Sequence, residues 1–338
     1  MKLILFSTGG TIASVPSENG LRPGRGGSDL LSLCPDLMGF DHEIDVVDLM
    51  SKDSTDMQPG DWLLMAESIR ARAGEYDAAI LLHGTDTLTW TAAALSYLLH
   101  DVGLPVVVTG SMLPAGTSGS DAADNIFSAI QFAMQLAMYR RRGVSVAFDG
   151  ALIHGVRAAK VDTRRKHAFV SVDYPLLGEM KDKGTHRIAW LSPQKPKFSP
   201  EAAPWGTTPT LEQNIVLLPI FPGMGARWLD TVIEAGPRAV VLEGFGLGGV
   251  PAGGSLSAIQ RATNAGIPLI MRTQALFGGT DLGAYEVGRR AEDLGVLSAR
   301  DMTREALTVK LMLLLPLCSD RTELERLLSA GVCDDVLC

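Results

Sequence analysis

Residues 78–90 read AAILLHGTDTLTW. An unbroken apolar run, Ala78–Leu82, stops at His83-Gly84. It passes through Thr85, Asp86 and Thr87 into a helical stretch, Leu88–Leu99. A continuous Val/Ile/Leu run, without alternation, is the pattern of a strand buried on both faces of a parallel sheet. Similar runs recur at Lys2–Ser7, Ile44–Leu49, Pro105–Thr109, Val144–Phe148, Ile215–Pro219, Ala239–Leu242 and Pro268–Arg272. Longer amphipathic stretches lie between them: Pro59–Ala73, Thr87–His100, Asp121–Arg141, Arg227–Ala235, Ser255–Ala265, Tyr285–Asp293 and Thr303–Leu315. Strand and helix alternating at this spacing predicts an α/β fold.

The chain has 338 residues, a length that suggests about two domains. One stretch breaks the rhythm. Lys183–Leu211 holds Pro193, Pro196, Pro200, Pro204 and Pro209 without a clear period, and reads as an extended linker. The expected organisation is an N-terminal α/β catalytic domain over 1–185, a Pro-rich linker over 186–211 and a C-terminal α/β domain over 212–338. Hydrophobic residues make up 46% and charged residues 20%, which excludes wholesale disorder. A net charge of −8 opposes binding to a phosphate backbone, so nucleic acid is not an expected partner. Mean hydropathy is +0.17, yet no run reaches the ~18 apolar residues of a membrane span. The apolar character is assigned to a large core and a subunit interface.

The start, MKLILFSTGG, is too short in its apolar part for a signal peptide and reads as a first buried strand. Cys34, Cys318, Cys333 and Cys338 show no CxxC spacing and no clustering with His. A cytoplasmic protein is expected, without a structural metal or a disulfide framework. Cys333 and Cys338 are spaced to bridge, but the segment reads first as a floppy tail.

In open α/β sheets ligands bind beyond the carboxyl ends of the strands. Four strands end in loops rich in hydroxyls and glycine: Ser7-Thr8-Gly9-Gly10-Thr11, Ser51-Lys52-Asp53-Ser54-Thr55-Asp56, His83-Gly84-Thr85-Asp86-Thr87 and Thr109-Gly110-Ser111-Met112. Hydroxyls there serve as nucleophiles or as partners for a small polar substrate. The plainer reading is helix capping, by Thr87 before Leu88 and by Ser120-Asp121 before the third helix. A Thr nucleophile needs a base. His83 ends a buried strand and reads as a satisfied core histidine. Lys160, in Arg157-Ala158-Ala159-Lys160, is the other candidate, with a surface lysine beside Arg164-Arg165-Lys166 as the plainer reading.

Thr8-Gly9-Gly10-Thr11-Ile12-Ala13 and His83-Gly84-Thr85-Asp86-Thr87, in this order and spacing, resemble the two signatures of the L-asparaginase/glutaminase family. The resemblance runs on through Ser54-Thr55-Asp56-Met57, Gly110-Ser111-Met112, Lys160 and Asp301-Met302-Thr303, and so spans the chain. The region around Gly278–Gly288 looks most like the cytoplasmic, type I bacterial branch. The resemblance implies a larger N-terminal domain with a mostly parallel sheet flanked by helices, and a smaller C-terminal parallel α/β domain. It implies dimers or tetramers with sites at the dimer interface, and no cofactor. Thr11 then matches the primary nucleophile or its direct partner. Thr85, Asp86 and Lys160 match a second triad, Asp86 also matches the holder of the substrate α-amino group, and Ser54, with Thr55 beside it, that of the α-carboxylate. The Ser111 carbonyl matches an acceptor for the scissile amide. Backbone N–H groups of Thr11 and Thr85 suit an oxyanion site. Asp86 would hold Lys160 charged and burial would neutralise it, so its role as base stays open here.

Two positions depart from the family pattern. Leu21, in Asn19-Gly20-Leu21-Arg22-Pro23-Gly24, stands where many members carry a loop tyrosine, and Leu247 stands where an Asn from the neighbouring subunit is usual. Of the five tyrosines, Tyr76 precedes a strand, Tyr97 and Tyr139 lie deep in helices, and Tyr174 sits in an apolar stretch. Tyr285 follows a glycine-rich loop after a C-terminal strand and is the expected replacement. The expected activity is hydrolysis of L-asparagine to L-aspartate and ammonia. The alternatives are glutamine or another ω-amide, or an amidotransferase subunit. That subunit usually carries an extra N-terminal domain, whereas here the motif Thr is residue 11. A dead amino-acid sensor is disfavoured by the complete set Thr11, Thr85, Asp86 and Lys160.

Overall fold

The computed structural model describes residues 1–17, 20–34, 42–182, 187–190, 203–251 and 254–337. Half of the Pro-rich linker, with Asn19 and Cys338, lies outside them. The chain divides into two compact units, Met1–Phe198 and Ser199–Cys338.

In the first unit the strands are β1 (Lys2–Gly9), β2 (Ser14–Ser17), β3 (Gly20–Pro23), β4 (Glu43–Lys52), β5 (Ala78–Leu82), β6 (Pro105–Thr109), β7 (Gly143–Phe148), β8 (Ala151–His154), β9 (Ala158–Lys160), β10 (Phe169–Ser171), β11 (Gly178–Asp182) and β12 (Arg187–Trp190). The helices are α1 (Gly27–Leu31), α2 (Pro59–Arg70), α3 (Leu88–Leu98) and α4 (Ala122–Met138). The main sheet has the order β12-β11-β8-β7-β6-β5-β1-β4. Its five strands from β4 to β7 are parallel, and β8, β11 and β12 complete it in antiparallel pairing. All of β5 and β6 is buried, as their unbroken apolar sequences require. Within the parallel part the order 4-1-5-6-7 reverses direction between β1 and β5. Such a reversal opens a crevice beyond the strand ends. Thr11 follows β1 and Thr85 follows β5, so the two motif threonines flank that crevice.

The second unit is built on β13 (Ile215–Pro219), β14 (Ala239–Gly244), β15 (Leu269–Thr273) and β16 (Leu297–Ser298), all parallel and in that spatial order. Its helices are α5 (Arg227–Glu234), α6 (Ser255–Asn264), α7 (Glu286–Asp293), α8 (Arg304–Leu314) and α9 (Arg321–Ser329). Val240, Leu242, Ile259, Leu269 and Met271 lie in its core. The architecture is therefore α/β in two units, with the larger, mostly parallel sheet in the first.

The chain end is not floppy. Val332, Cys333 and Asp335 are buried. The Lys310 ammonium, itself fully buried, donates to Leu328 O at 2.9 Å and Ala330 O at 2.7 Å, and pairs with Asp335 Oδ2 at 2.9 Å. An isolated buried ammonium is costly, so this pairing fixes the tail to α8. Leu337 N–H reaches Asp301 Oδ1 at 3.1 Å, which gives the Asp301-Met302-Thr303 segment a structural role: Asp301 holds the tail and Thr303 caps α8. Tyr139, expected deep in a helix, is 57% exposed at the end of α4.

Candidate active site

Glycine lets the strand-end loops of the first unit touch. Gly10 has φ +78°, and a Cβ there would collide with the Gly84 backbone. A Cβ on Gly84 would in turn fall 2.6 Å from Ser54 Oγ. The loops after β1 and β5 thus meet backbone to backbone, and the Ser54 side chain of the loop after β4 packs on Gly84, where only glycine fits. The fourth loop joins by Gly110, packed on the His83 carbonyl, and by His83 N–H donating to Thr109 O at 2.8 Å.

Lys160 ends β9, paired with Phe169 of β10. Its ammonium donates to Thr85 Oγ1 at 3.0 Å and to Asp86 Oδ1 at 2.7 Å. The lysine side chain is 15% exposed and the Asp86 side chain 54%, so the pair opens toward solvent through the carboxylate. The surface-lysine reading of Lys160 does not hold. Ser54 is buried, and its Oγ accepts the Asp86 N–H at 3.3 Å. Thr87 does not cap α3. Its hydroxyl donates to Ser54 O at 2.7 Å and ties the second loop to the third. Thr55 is exposed and turned to Asp53, to which its hydroxyl donates at 2.8 Å. Thr11 is half-buried in a short turn, Thr11–Ala13, and its hydroxyl has no hydrogen-bond partner among the described residues. Ser111 is buried, with its Oγ donating to Leu113 O at 2.6 Å.

Thr11, Ser54, Thr55, Thr85, Asp86, Ser111 and Lys160 all belong to the first unit, on loops that touch or hydrogen-bond in sequence. Tyr285 belongs to the second. It is 65% exposed as the residue before α7 and does not pack into its helix start. In the same unit, Asp281 N–H donates to Leu247 O at 3.0 Å, which fastens the Leu247 turn to the loop leading to Tyr285. No group of His, Cys, Asp and Glu among the described residues could hold a metal ion, and none of their helices is long and apolar enough to cross a membrane.

Behind Thr85 lies a buried polar relay that the sequence suggests only in part. Trp62 Nε1 donates to Thr91 Oγ1 at 3.1 Å, Thr91 meets His83 Nε2 at 2.9 Å, and His83 Nδ1 meets the Gly84 carbonyl at 2.7 Å. A carbonyl only accepts, so Nδ1 carries the proton and Nε2 accepts from Thr91. His83 is the satisfied core histidine expected, and burial pushes its pKa down to about 4. The unfolded chain takes up that proton near pH ~6.5, before the folded chain does. Stability is therefore insensitive to this group above about pH 6.5 and falls as pH drops from there toward about 4, by about 3 kcal/mol. Urea unfolding of wild type and His83→Asn across that range is expected to show a steeper acid loss in wild type. Parallel curves would contradict it.

The residues not anticipated are Asp121 and Asn125 at the start of α4. Asp121 does not cap its helix with its side chain but accepts the N–H groups of Met112 and Leu113. The only signal in the sequence is their i,i+4 spacing just after the Gly110 loop.

Residues 2–193 match the family described as "Asparaginase, N-terminal", and residues 214–328 match "Glutaminase/Asparaginase C-terminal domain". The L-asparaginase of Thermococcus kodakarensis is 36% identical over 341 residues, 99% of each chain. A solved structure of the thermostable L-asparaginase from Thermococcus kodakarensis superposes with a TM-score of 0.90 at 35% identity, covering 100% of this chain and 99% of the other. A glutamyl-tRNA(Gln) amidotransferase subunit of Methanopyrus kandleri is 33% identical over 348 residues, 98% of this chain and 74% of the other.

Proposed function

The chain belongs to the asparaginase family, and from that premise we propose that it hydrolyses the side-chain amide of L-asparagine to L-aspartate and ammonia through a threonine nucleophile. The observation that carries this reading is the Lys160 ammonium nitrogen held at once on Thr85 Oγ1 and Asp86 Oδ1, at a strand-end crevice whose other lip carries Thr11. A threonine oxygen, assigned to Thr11, bonds to the amide carbon as its proton passes by way of the Thr85 hydroxyl to Lys160, which takes part as the neutral amine and becomes the ammonium. The carbonyl oxygen gains the negative charge, which the backbone N–H groups of Thr11 and Thr85 stabilise. The C–N bond breaks as the nitrogen takes up a proton, ammonia leaves, and water then cleaves the acyl-threonine ester. Asp86 binds the α-amino group through the carboxylate oxygen that Lys160 leaves free, while Ser54 and Thr55 take the α-carboxylate and the Ser111 carbonyl the scissile amide N–H. Hydroxyls, a lysine and a carboxylate are the groups that such acyl transfer uses, and it calls for no cofactor. Self-association as a dimer or tetramer belongs to this reading, because Tyr285 is assigned to a neighbouring subunit's site.

Ammonia release from asparagine, glutamine and short peptides tests the reading. Asparagine is expected to react fastest, with glutamine behind it, since one methylene is worth only about 1–3 kcal/mol. No ammonia from any amide would refute it. The 33% identity to an amidotransferase subunit keeps one other reading in view. Amide hydrolysis that requires tRNA and a partner subunit would favour that one.

Tyr285 supplies the phenol assigned to polarise Thr11. Tyr285→Phe keeps the ring and is expected to lower kcat about tenfold, or about 1.4 kcal/mol. The oligomer should be unchanged by sedimentation. Wild-type kcat in this variant would place activation of Thr11 elsewhere.

A further inference from the structure

Asp121 and Asn125 stand one turn apart at the start of α4, on one face of the helix, and both are buried. The Asp121 carboxylate accepts the Met112 N–H at 3.0 and 3.1 Å and the Leu113 N–H at 3.1 Å. Asn125 Nδ2 donates to the Gly110 carbonyl at 2.9 Å and to Asp121 Oδ2 at 3.0 Å. Asn125 Oδ1 accepts the Asp149 N–H at 3.0 Å. Asp149 holds φ +47° in the turn between β7 and β8, and its carboxylate meets His167 Nδ1 at 3.3 Å. His167 lies in the loop that joins β9, where Lys160 stands, to β10. One buried amide therefore links the end of β6, the start of α4 and the turn after β7. Through Asp149 it also reaches the hairpin that carries Lys160.

A buried amide in a helix is unfavourable unless its donors and its acceptor are all used. Here they are, and the chemistry is restrictive. A neutral amide donates to Gly110 and Asp121 while accepting from Asp149, which neither a carboxylate nor an apolar side chain can do.

We propose that Asn125, locked by Asp121, is a positioning residue for amide hydrolysis: it fixes the Gly110-Ser111-Met112 backbone, and so the Ser111 carbonyl, relative to the turn that leads into the Lys160 hairpin. The proposal rests on the hydrolytic reading above. Asn125 touches no substrate. It acts through the Ser111 carbonyl, whose contact with the scissile amide must stay aligned as the C–N bond breaks, and small misplacements there reduce rate more than binding.

Asn125→Asp is nearly isosteric and tests this. It keeps the acceptor for Asp149 N–H, removes both donors and sets a second carboxylate against Asp121. Among the described residues, the other charged groups linked to this position are Asp149, through its backbone N–H, and His167 beyond it, from the turn after β7 and the loop after β9. Activity is measured per folded molecule, with folding checked by circular dichroism. Near pH ~8 the variant is expected to lose kcat about tenfold or more, with KM changed less than about threefold. The loss should shrink toward pH ~5, because burial and the facing Asp121 carboxylate push the new carboxyl above the ordinary Asp range, so that it takes up a proton and can again donate to Asp121 or Gly110. A residue that only supported the fold would not give a kcat-selective loss with acid recovery in folded protein. Asp121→Asn, which leaves two amides facing each other, is expected to lower kcat in the same direction without acid recovery, and it decides the matter if Asn125→Asp does not fold.

Wild-type kcat in the folded variants, or a loss confined to KM, overturns the positioning role while leaving the hydrolytic reading intact. A wild-type protein that releases no ammonia removes both.

Discussion

Thr85→Ala and Thr11→Ala are each expected to lower amide turnover by about 100-fold or more. Thr85 is 4% exposed, and Lys160 at 3.0 Å is its hydroxyl's partner. Truncation removes the group through which the lysine can move a proton. It leaves Lys160 on Asp86, so no buried charge is stranded, and the structural cost stays near ~1 kcal/mol. Thr11 lies in a short turn with its hydroxyl unbonded among the described residues. Alanine there removes the oxygen proposed to react and no bond that holds the fold. Both variants should keep the wild-type circular dichroism spectrum. Thr→Ser at either position restores the oxygen and should recover part of kcat. A near-wild-type rate in either alanine variant would remove that threonine from the chemistry.

The parts of this structure most legible in the sequence are those made by burial alone. β1, β5, β6, β7, β14 and β15 are continuous apolar runs because both faces of a parallel strand are covered. The strands β8–β12 do not stand out, for the converse reason. They are three to five residues long, and β11 reads GEMKD. Such segments become strands through hairpin pairing, β8 with β7, β10 with β9 and β12 with β11, which propensity does not record. α9 is within reach of the sequence: Asp320 caps it, and Leu324, Leu327 and Leu328 follow at helical spacing. The buried tail is not, because its anchor is Lys310, some two dozen residues upstream.

The candidate site divides along the same line. Its threonines, Asp86 and Ser54 are visible because hydroxyls and glycines recur at the ends of several neighbouring strands, which is more than helix capping requires. Two side chains mislead when read from their neighbours. Thr87 and Asp121 both stand where a helix cap belongs, yet Thr87 binds Ser54 O and Asp121 binds the Met112 and Leu113 amides. Capping is worth about 1 kcal/mol. A tertiary contact that satisfies a buried backbone group competes well against it. The competition cannot be judged from neighbours in sequence, so the bracing role of Asp121 and Asn125 emerges only from the fold. Lys160 lies between these cases. It is legible as a candidate, but its partners are 74 and 75 residues away.

Lys160→Met is expected to lower kcat about 1000-fold, within the range a positioned general base or acid supplies. The ammonium nitrogen stands at hydrogen-bond distance from Thr85 Oγ1, the geometry that proton transfer requires. The same nitrogen pairs with Asp86 at 2.7 Å, so two roles must be separated: taking a proton, and placing a positive charge beside the developing negative one. Lys160→Arg separates them. A guanidinium keeps the charge and the contact with a carboxylate but does not give up a proton under working conditions, and so cannot serve as an acceptor. If Lys160 acts as the base, arginine and methionine should be nearly equally inactive. Loss of the ion pair should cost little stability, because the Asp86 side chain is 54% exposed and water takes over the carboxylate. If arginine instead retains most of the rate, the lysine acts by charge alone, and the proton from the attacking threonine must leave through another group.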